Sequence, residues 1–175
     1  MPKQMEGLGR VVIRRLQPGD APALAEFYGS LSAASKRTFA PLGRAPTLAA
    51  CEEVAQDNRP EIDRRLDLVA LDGRRIVGWG FVWLLNPQEP MFGLGVADDY
   101  QGQGLGSRLI DRVLEGARAR GLERVFLTVV KDNARALHLY ESRGFVIYGE
   151  LVDDGLDFWR MAVALPRASA PAAEY

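Results

Sequence analysis

Residues 100–107 read Tyr100-Gln101-Gly102-Gln103-Gly104-Leu105-Gly106-Ser107, with glycine at every second position. An apolar stripe of helical period follows at once: Leu105, Leu109, Val113 and Ala117, widened by Ile110 and Leu114. Residues 90–97 (PMFGLGVA) precede it and read as a strand, with Phe92, Leu94 and Val96 on one face and two glycines on the other. Strand, glycine-rich turn and helix therefore succeed one another without a break. A helix start leaves backbone N–H groups without internal partners, and the helix dipole places partial positive charge there. Glycines let an anion approach those amides with no Cβ in the way, so a pyrophosphate is the natural guest.

Two familiar nucleotide loops do not fit this spacing. A P-loop requires Lys and Ser/Thr after its last glycine, and no Lys follows these. A dinucleotide turn requires G-x-G-x-x-G with an acid ending the next strand, whereas the pattern here is G-x-G-x-G and Glu123 precedes the next strand.

Working outward, residues 10–16 read as a strand closed by Gln17-Pro18-Gly19. Asp20 is placed to cap a helix that buries Leu24, Phe27, Tyr28 and Leu31. Ser32 to Pro46 reads as irregular. A second helix starts at Thr47, turns Leu48, Cys51, Val54 and Ala55 inward, and ends before Pro60. Leu68 to Leu71 and Arg74 to Leu85 flank Asp72-Gly73, the signal of a type I′ hairpin. Beyond the glycine-rich loop, Gly121 stops the helix and Arg124 to Val130 is a strand. Asn133 opens a short helix that Gly144 closes. Residues 145–149 and 156–165 are strands around Asp153-Asp154-Gly155. The fold class is α/β: one mixed, mostly antiparallel sheet with helices on both faces. A single domain over 10–165 is expected, between a flexible N-terminus (1–9) and a flexible tail (166–175).

Composition narrows the function classes. The 175 residues carry 22 Lys+Arg against 23 Asp+Glu, a net charge of −1, which removes bulk attraction to nucleic acid or anionic lipid. The longest apolar run, Ile76 to Leu85, is about half the ~20 residues a membrane helix needs. One cysteine, Cys51, and one histidine, His138, leave structural zinc without ligands and point to a reducing cytoplasm. His138 reads as exposed, Trp79, Trp83 and Trp159 as sheet core, and Arg108 as a solvated helix residue that can also reach a phosphate.

With these residues in view, the chain resembles the GCN5-related N-acetyltransferases. Their acetyl-CoA loop, Gln/Arg-x-x-Gly-x-Gly/Ala, is matched by Gln101-Gly102-Gln103-Gly104-Leu105-Gly106. The likeness continues through Val125 to Val130, Asn133 to Tyr140 and Glu141 to Phe145, strongly over residues 68–150. It implies a sheet of about seven strands that splays where acetyl-CoA, used without a metal, enters. The pantetheine arm would pair with the backbone of Leu94 and Val96. Amides of Gln101, Gly102, Gln103, Gly104, Leu105, Gly106 and Ser107 would hold the pyrophosphate, and the Ser107 hydroxyl can add a bond. Asn133, an N-cap in its own right, would also contact the cofactor arm, and Tyr140 lies on the same helical face.

The reaction so implied is direct attack of a primary amine, on a small molecule or peptide, upon the thioester. Tyr140 would protonate the departing thiolate, since a phenol of pKa near 10 and an alkyl thiol near 8.5 are close enough for transfer. The Val96 N–H would hold the oxyanion. Glu89 is the nearest candidate base but lies one residue out of phase on its strand, so water is the alternative. Acceptor choice is expected from Ser32 to Pro46, with Lys36, Arg37 and Arg44, and from residues 150–157, with Glu150, Asp153, Asp154 and Asp157. Neutralising Asp153 and Asp154 is expected to raise the acceptor KM. The C-terminal edge strands suit a homodimer. The competing reading is a CoA-binding regulatory module without turnover.

Overall fold

The computed structural model describes residues 8–167. The expected flexible ends therefore lie largely outside it, although Leu8–Arg10 form a 3₁₀ turn. The elements in chain order are β1 (Val11–Arg15), α1 (Ala21–Ser30), α2 (Ala33–Thr38), α3 (Leu48–Asp57), β2 (Arg65–Asp72), β3 (Arg75–Trp83), β4 (Met91–Val96), α4 (Leu105–Ala119), β5 (Arg124–Val130), α5 (Ala134–Glu141), β6 (Val146–Asp153) and β7 (Leu156–Ala164). The seven strands form one mixed sheet in the order β1-β2-β3-β4-β5-β7-β6. Every pairing is antiparallel except β4 with β5, which is parallel and holds only at Met91↔Phe126. Past that point the two strands diverge, and the sheet opens.

The sequence itself sets which face each helix covers. Along β3, Gly78 and Gly80 turn to α4 and make room for Leu109 and Val113, while the alternate Trp79 and Phe81 face the side of Phe39. The helical stripe Leu105, Leu109, Ile110, Val113, Leu114 and Ala117 is wholly buried. On the opposite face α1 buries Leu24, Phe27 and Tyr28 against α3, whose Cys51, Val54 and Ala55 point inward.

Several local expectations are corrected. Leu48 is exposed rather than inward, because it is the first residue of α3, directly after the Thr47 cap. Asp20 does not cap α1 with its side chain; its carboxylate instead accepts from the Gln17 N–H and from Arg14. The β2–β3 turn pairs Asp72 with Arg75, so its central residues are Gly73 and Arg74. Positive φ is confined there to Gly73, the signature of type II′ rather than I′. The last hairpin turns at Asp154-Gly155, both with positive φ, and β6 runs on to Asp153. The stretch Ser32 to Pro46 is not irregular throughout: Ser32 Oγ accepts from the Ser35 N–H and caps α2.

Asp67 of β2 is buried at 0% exposure beneath the tryptophans. Its Oδ1 accepts from Trp79 Nε1 (2.8 Å), and its Oδ2 from Arg65 Nε (2.5 Å). Asn58, also buried, ties the backbone of Asp67 to Leu16 through three further bonds. This network locks β2 to the strand ends beneath α3.

Candidate active site

The divergence of β4 from β5 determines which backbone groups are left open. Ala97 N–H donates to Val77 O (2.9 Å), so Ala97 faces β3. Peptide groups alternate along a strand, so those of Leu94 and Val96 face the other way, toward β5. The bond from Phe126 N–H to Pro90 O (2.9 Å) belongs to the single bridge, Met91↔Phe126, that joins β4 to β5. Beyond it the gap-facing groups of Leu94 and Val96 have no strand partner, apart from Val96 O, which accepts from Gln101 Nε2 (3.0 Å). The opening continues into a cleft of about 740 Å³.

One wall of the cleft is the glycine-rich loop. Gly102 (φ 72°) and Gly104 (φ 87°) adopt left-handed backbone that a side chain would strain. The first intrahelical bond of α4 runs from Arg108 N–H to Gly104 O (3.2 Å), which leaves the N–H groups of Leu105, Gly106 and Ser107 without helical partners. Gly102, Gly104, Gly106 and Ser107 line the cleft. Gln103 and Leu105 offer only backbone: the Gln103 amide donates to Asp99 O, and the Leu105 side chain is core. Arg108 does not reach toward the loop; its guanidinium donates to Leu8 O and Val11 O.

The facing wall is α5. Asn133 caps it, with Oδ1 accepting from Ala136 N–H (3.3 Å), and its Nδ2 donates to no described residue. Two turns later Tyr140 lines the same cleft, its ring held edge-on to Phe92 (5.9 Å between centroids) and tilted on Phe145 (5.8 Å). Burial pushes its phenol well above the ordinary tyrosine value, so the group keeps its proton. His138 also lines the cleft from the exposed side of α5.

The third wall is α2, the element that sequence reasoning missed. Asp98 Oδ1 accepts from Ser32 Oγ (2.7 Å) and Ser35 Oγ (2.7 Å), and Oδ2 accepts from Ser32 N–H (2.9 Å). These donors hold the Asp98 carboxyl below its usual range. Gln101 Nε2 adds a bond to Ser35 Oγ (3.1 Å), so a second contact ties the loop to α2. The signal in the sequence was Ser32 ahead of Ala33-Ala34, a cap before good helix formers. From α2, Arg37 reaches across to Asp132 in the turn after β5.

Glu89 is not brought to the cleft. It lies before β4, where its Oε1 accepts from Arg160 (3.1 Å) and Tyr148 (3.4 Å). Residues 150–157 do not line the cleft either; Asp154 pairs with Arg44 (2.9 Å) and Glu150 with Lys131. Among the described residues no three His, Cys, Asp or Glu side chains gather as a metal site, and no helix is long and apolar enough to cross a membrane.

Comparison with known proteins agrees with this fold. The model of the acetyltransferase (GNAT) family matches residues 37–145, more than half of the chain. A mycothiol acetyltransferase from Beutenbergia cavernae is 48% identical over 67 residues, which cover 37% of this chain and 23% of that protein. An alanine N-acetyltransferase of ribosomal protein bS18 from Escherichia coli is 30% identical over 83 residues, covering 47% of this chain and 56% of that one. The chain thus spans about a quarter and about half of the length of these two curated relatives. Among solved structures, a GNAT-family acetyltransferase from Streptococcus pneumoniae superposes with a TM-score of 0.75 at 26% identity, covering 89% of this chain and 99% of that chain.

Proposed function

Because the chain belongs to the acetyltransferase (GNAT) family, we propose that it moves an acetyl group from acetyl-CoA to a primary amine of a small molecule or peptide. The observation that carries the reading is the unpaired edge of β4 beside the bare amides of α4, a strand-like slot that ends in an anion site. That is the shape of a pantetheine arm followed by a diphosphate. The pantetheine amides pair with the gap-facing groups of Leu94 as an added strand, the diphosphate rests on the N–H groups of residues 102–107, and Asn133 Nδ2 donates to the arm.

In the reaction the amine nitrogen forms a bond to the thioester carbonyl carbon, and the carbonyl oxygen takes up charge. The Val96 N–H, directed into the gap, holds that oxyanion. The C–S bond then breaks, and Tyr140 gives its proton to the thiolate. Burial keeps the phenol protonated up to this step and also widens the gap to the thiol beyond that of a free phenol. The proton lost by the amine leaves through water in the cleft. Glu89 is engaged by Arg160 outside the cleft lining, so the base role considered for it passes to that water. One domain over residues 10–165 suffices for this chemistry, and the lone buried Cys51 suits a reducing cytoplasm. The exposed edge strand β6, with Val146, Ile147, Tyr148 and Val152 outward, supports pairing with a second copy.

The test is release of free CoA thiol from acetyl-CoA across a panel of amines, amino acids and peptides. Release above hydrolysis with any acceptor supports the transferase. Tight CoA binding with no release for any acceptor would favour a binding module instead.

A further inference from the structure

Two ion pairs join the N-terminal side of the opening to its C-terminal side. Arg44 meets Asp154, and Arg37 meets Asp132. Only the second pair lines the cleft that Val96 and Tyr140 also line. Arg37 NH1 donates to Asp132 Oδ1 at 2.9 Å and NH2 to Oδ2 at 2.8 Å, a two-bond fork between positions 95 residues apart in sequence. Both partners are held from behind. Arg37 projects from α2, which Asp98 and Gln101 fasten to the loop, and Asp132 directly precedes the Asn133 cap.

Little of the fold's stability rests on this pair. The two side chains are 43% and 65% exposed, and exposed ion pairs contribute little to stability. A fork that is cheap to open, fixed at both ends and facing a reaction cleft is suited to exchange partners. Guanidinium recognises any carboxylate through the same two parallel bonds, and a carboxylate accepts an ammonium group equally well. The only molecule that replaces both halves at once carries an anion and a cation close together.

We propose that Arg37 and Asp132 select a zwitterionic acceptor, a small amino acid or amino-acid-like amine. Its carboxylate takes the place of Asp132 on the Arg37 fork, and its ammonium group is received by Asp132 at the mouth of the cleft. This rests on the transferase reading above and names the acceptor class of that site. It also explains why Arg44, the basic residue of the α2–α3 connection that pairs with Asp154, is not the reader: neither Arg44 nor Asp154 lines the cleft.

The experiment compares each amino acid with its own carboxamide, which keeps the amine and removes the carboxylate. In the wild type, kcat/KM for the acid form should exceed that for the amide by roughly 10- to 100-fold, the worth of one charge-assisted interaction. In Arg37→Ala that ratio should collapse toward one, with the loss in acceptor KM rather than kcat. Asp132→Asn should raise KM for both forms, and Arg44→Ala should leave the ratio intact. Calorimetric binding of CoA to each variant shows that it is folded. A wild-type ratio near one, or an unchanged ratio in Arg37→Ala, overturns the inference while leaving the transferase standing. Failure of every acid and amide to release thiol, while another amine or a peptide releases it, overturns the inference and leaves the transferase standing; failure of the whole panel overturns both.

Discussion

The ring of Phe39, the residue that ends α2, lies directly on the backbone of Gly95 in β4: a Cβ at that position would meet Cε1 of the ring at 2.5 Å. Gly93 is covered in the same way by Phe81, at 2.1 Å. The two glycines of the splayed strand are therefore seats for aromatic rings on the face away from α4. Gly95→Ala should lose about 1–3 kcal/mol of stability by overpacking and push Phe39 into the cleft. Gly29→Ala, on open helix surface, should lose none. Urea denaturation of the two variants checks this, and a Gly95→Ala protein as stable as the wild type would contradict it.

Tyr140→Phe should lower kcat by about 100-fold, the usual worth of a positioned acid, with a much smaller change in the acetyl-CoA KM. Since burial raises the phenol above its unfolded value near 10, the wild-type kcat should show no alkaline decline below about pH 10. The same shift means that the folded state holds this proton more tightly than the unfolded chain. Its contribution to stability is thus complete below about pH 10 and is lost as the pH climbs through the folded value. Steady-state thiol release against pH measures the first effect, and an unchanged kcat in the variant would remove Tyr140 from the chemistry.

Asp98 fastens α2 to the loop, and its donors Ser32 and Ser35 hold its carboxyl below the ordinary value. A lowered carboxyl stabilises the folded form above the unfolded value near 3.9 and ceases to do so as the pH falls through the folded value. Asp98→Asn at neutral pH, and the wild type once the pH has fallen below the lowered carboxyl value, should both show reduced protection of residues 33–38 against amide hydrogen exchange, relative to the intrinsic rate at each pH. Equal protection of α2 in the variant would show that the helix is held by something else.

Asp67→Ala strands the Arg65 guanidinium and the Trp79 indole N–H in a buried site, so it should cost about 3–5 kcal/mol. Asp67→Asn keeps an acceptor and should cost less. Thermal or urea unfolding measures both, and a loss below about 1 kcal/mol for the alanine variant would deny the network its role.

Legibility in the sequence followed the range of the physics involved. The α4 stripe, the Thr47 and Asn133 caps and the left-handed Gly121 and Gly144 are set by neighbours within a turn, and all are present in the structure. The bare amides of the glycine-rich loop were legible because unpartnered N–H groups at a helix start are a local consequence of the chain, and those of Leu105, Gly106 and Ser107 have no helical partners in the structure. What depended on distant partners was not. Gly93 and Gly95 read only as the bare face of the strand, because nothing nearby in sequence announces that Phe81 and Phe39 will lie on them. The six-residue α2 was missed because Asp98 and Gln101, some 63 to 66 residues away, hold it in place. The charges of residues 150–157 were read as an acceptor rim, yet Asp154 and Glu150 are spent on Arg44 and Lys131.

The central claim is that the free amides of residues 102–107 hold the diphosphate of coenzyme A. Titration calorimetry with CoA and, in parallel, a nicotinamide dinucleotide tests it most directly. The account predicts saturable heat and a raised unfolding temperature with CoA alone, both lost in Gly104→Val, because a β-branched residue cannot hold φ 87° without strain. No heat with CoA, or an equal response to the dinucleotide, would contradict it.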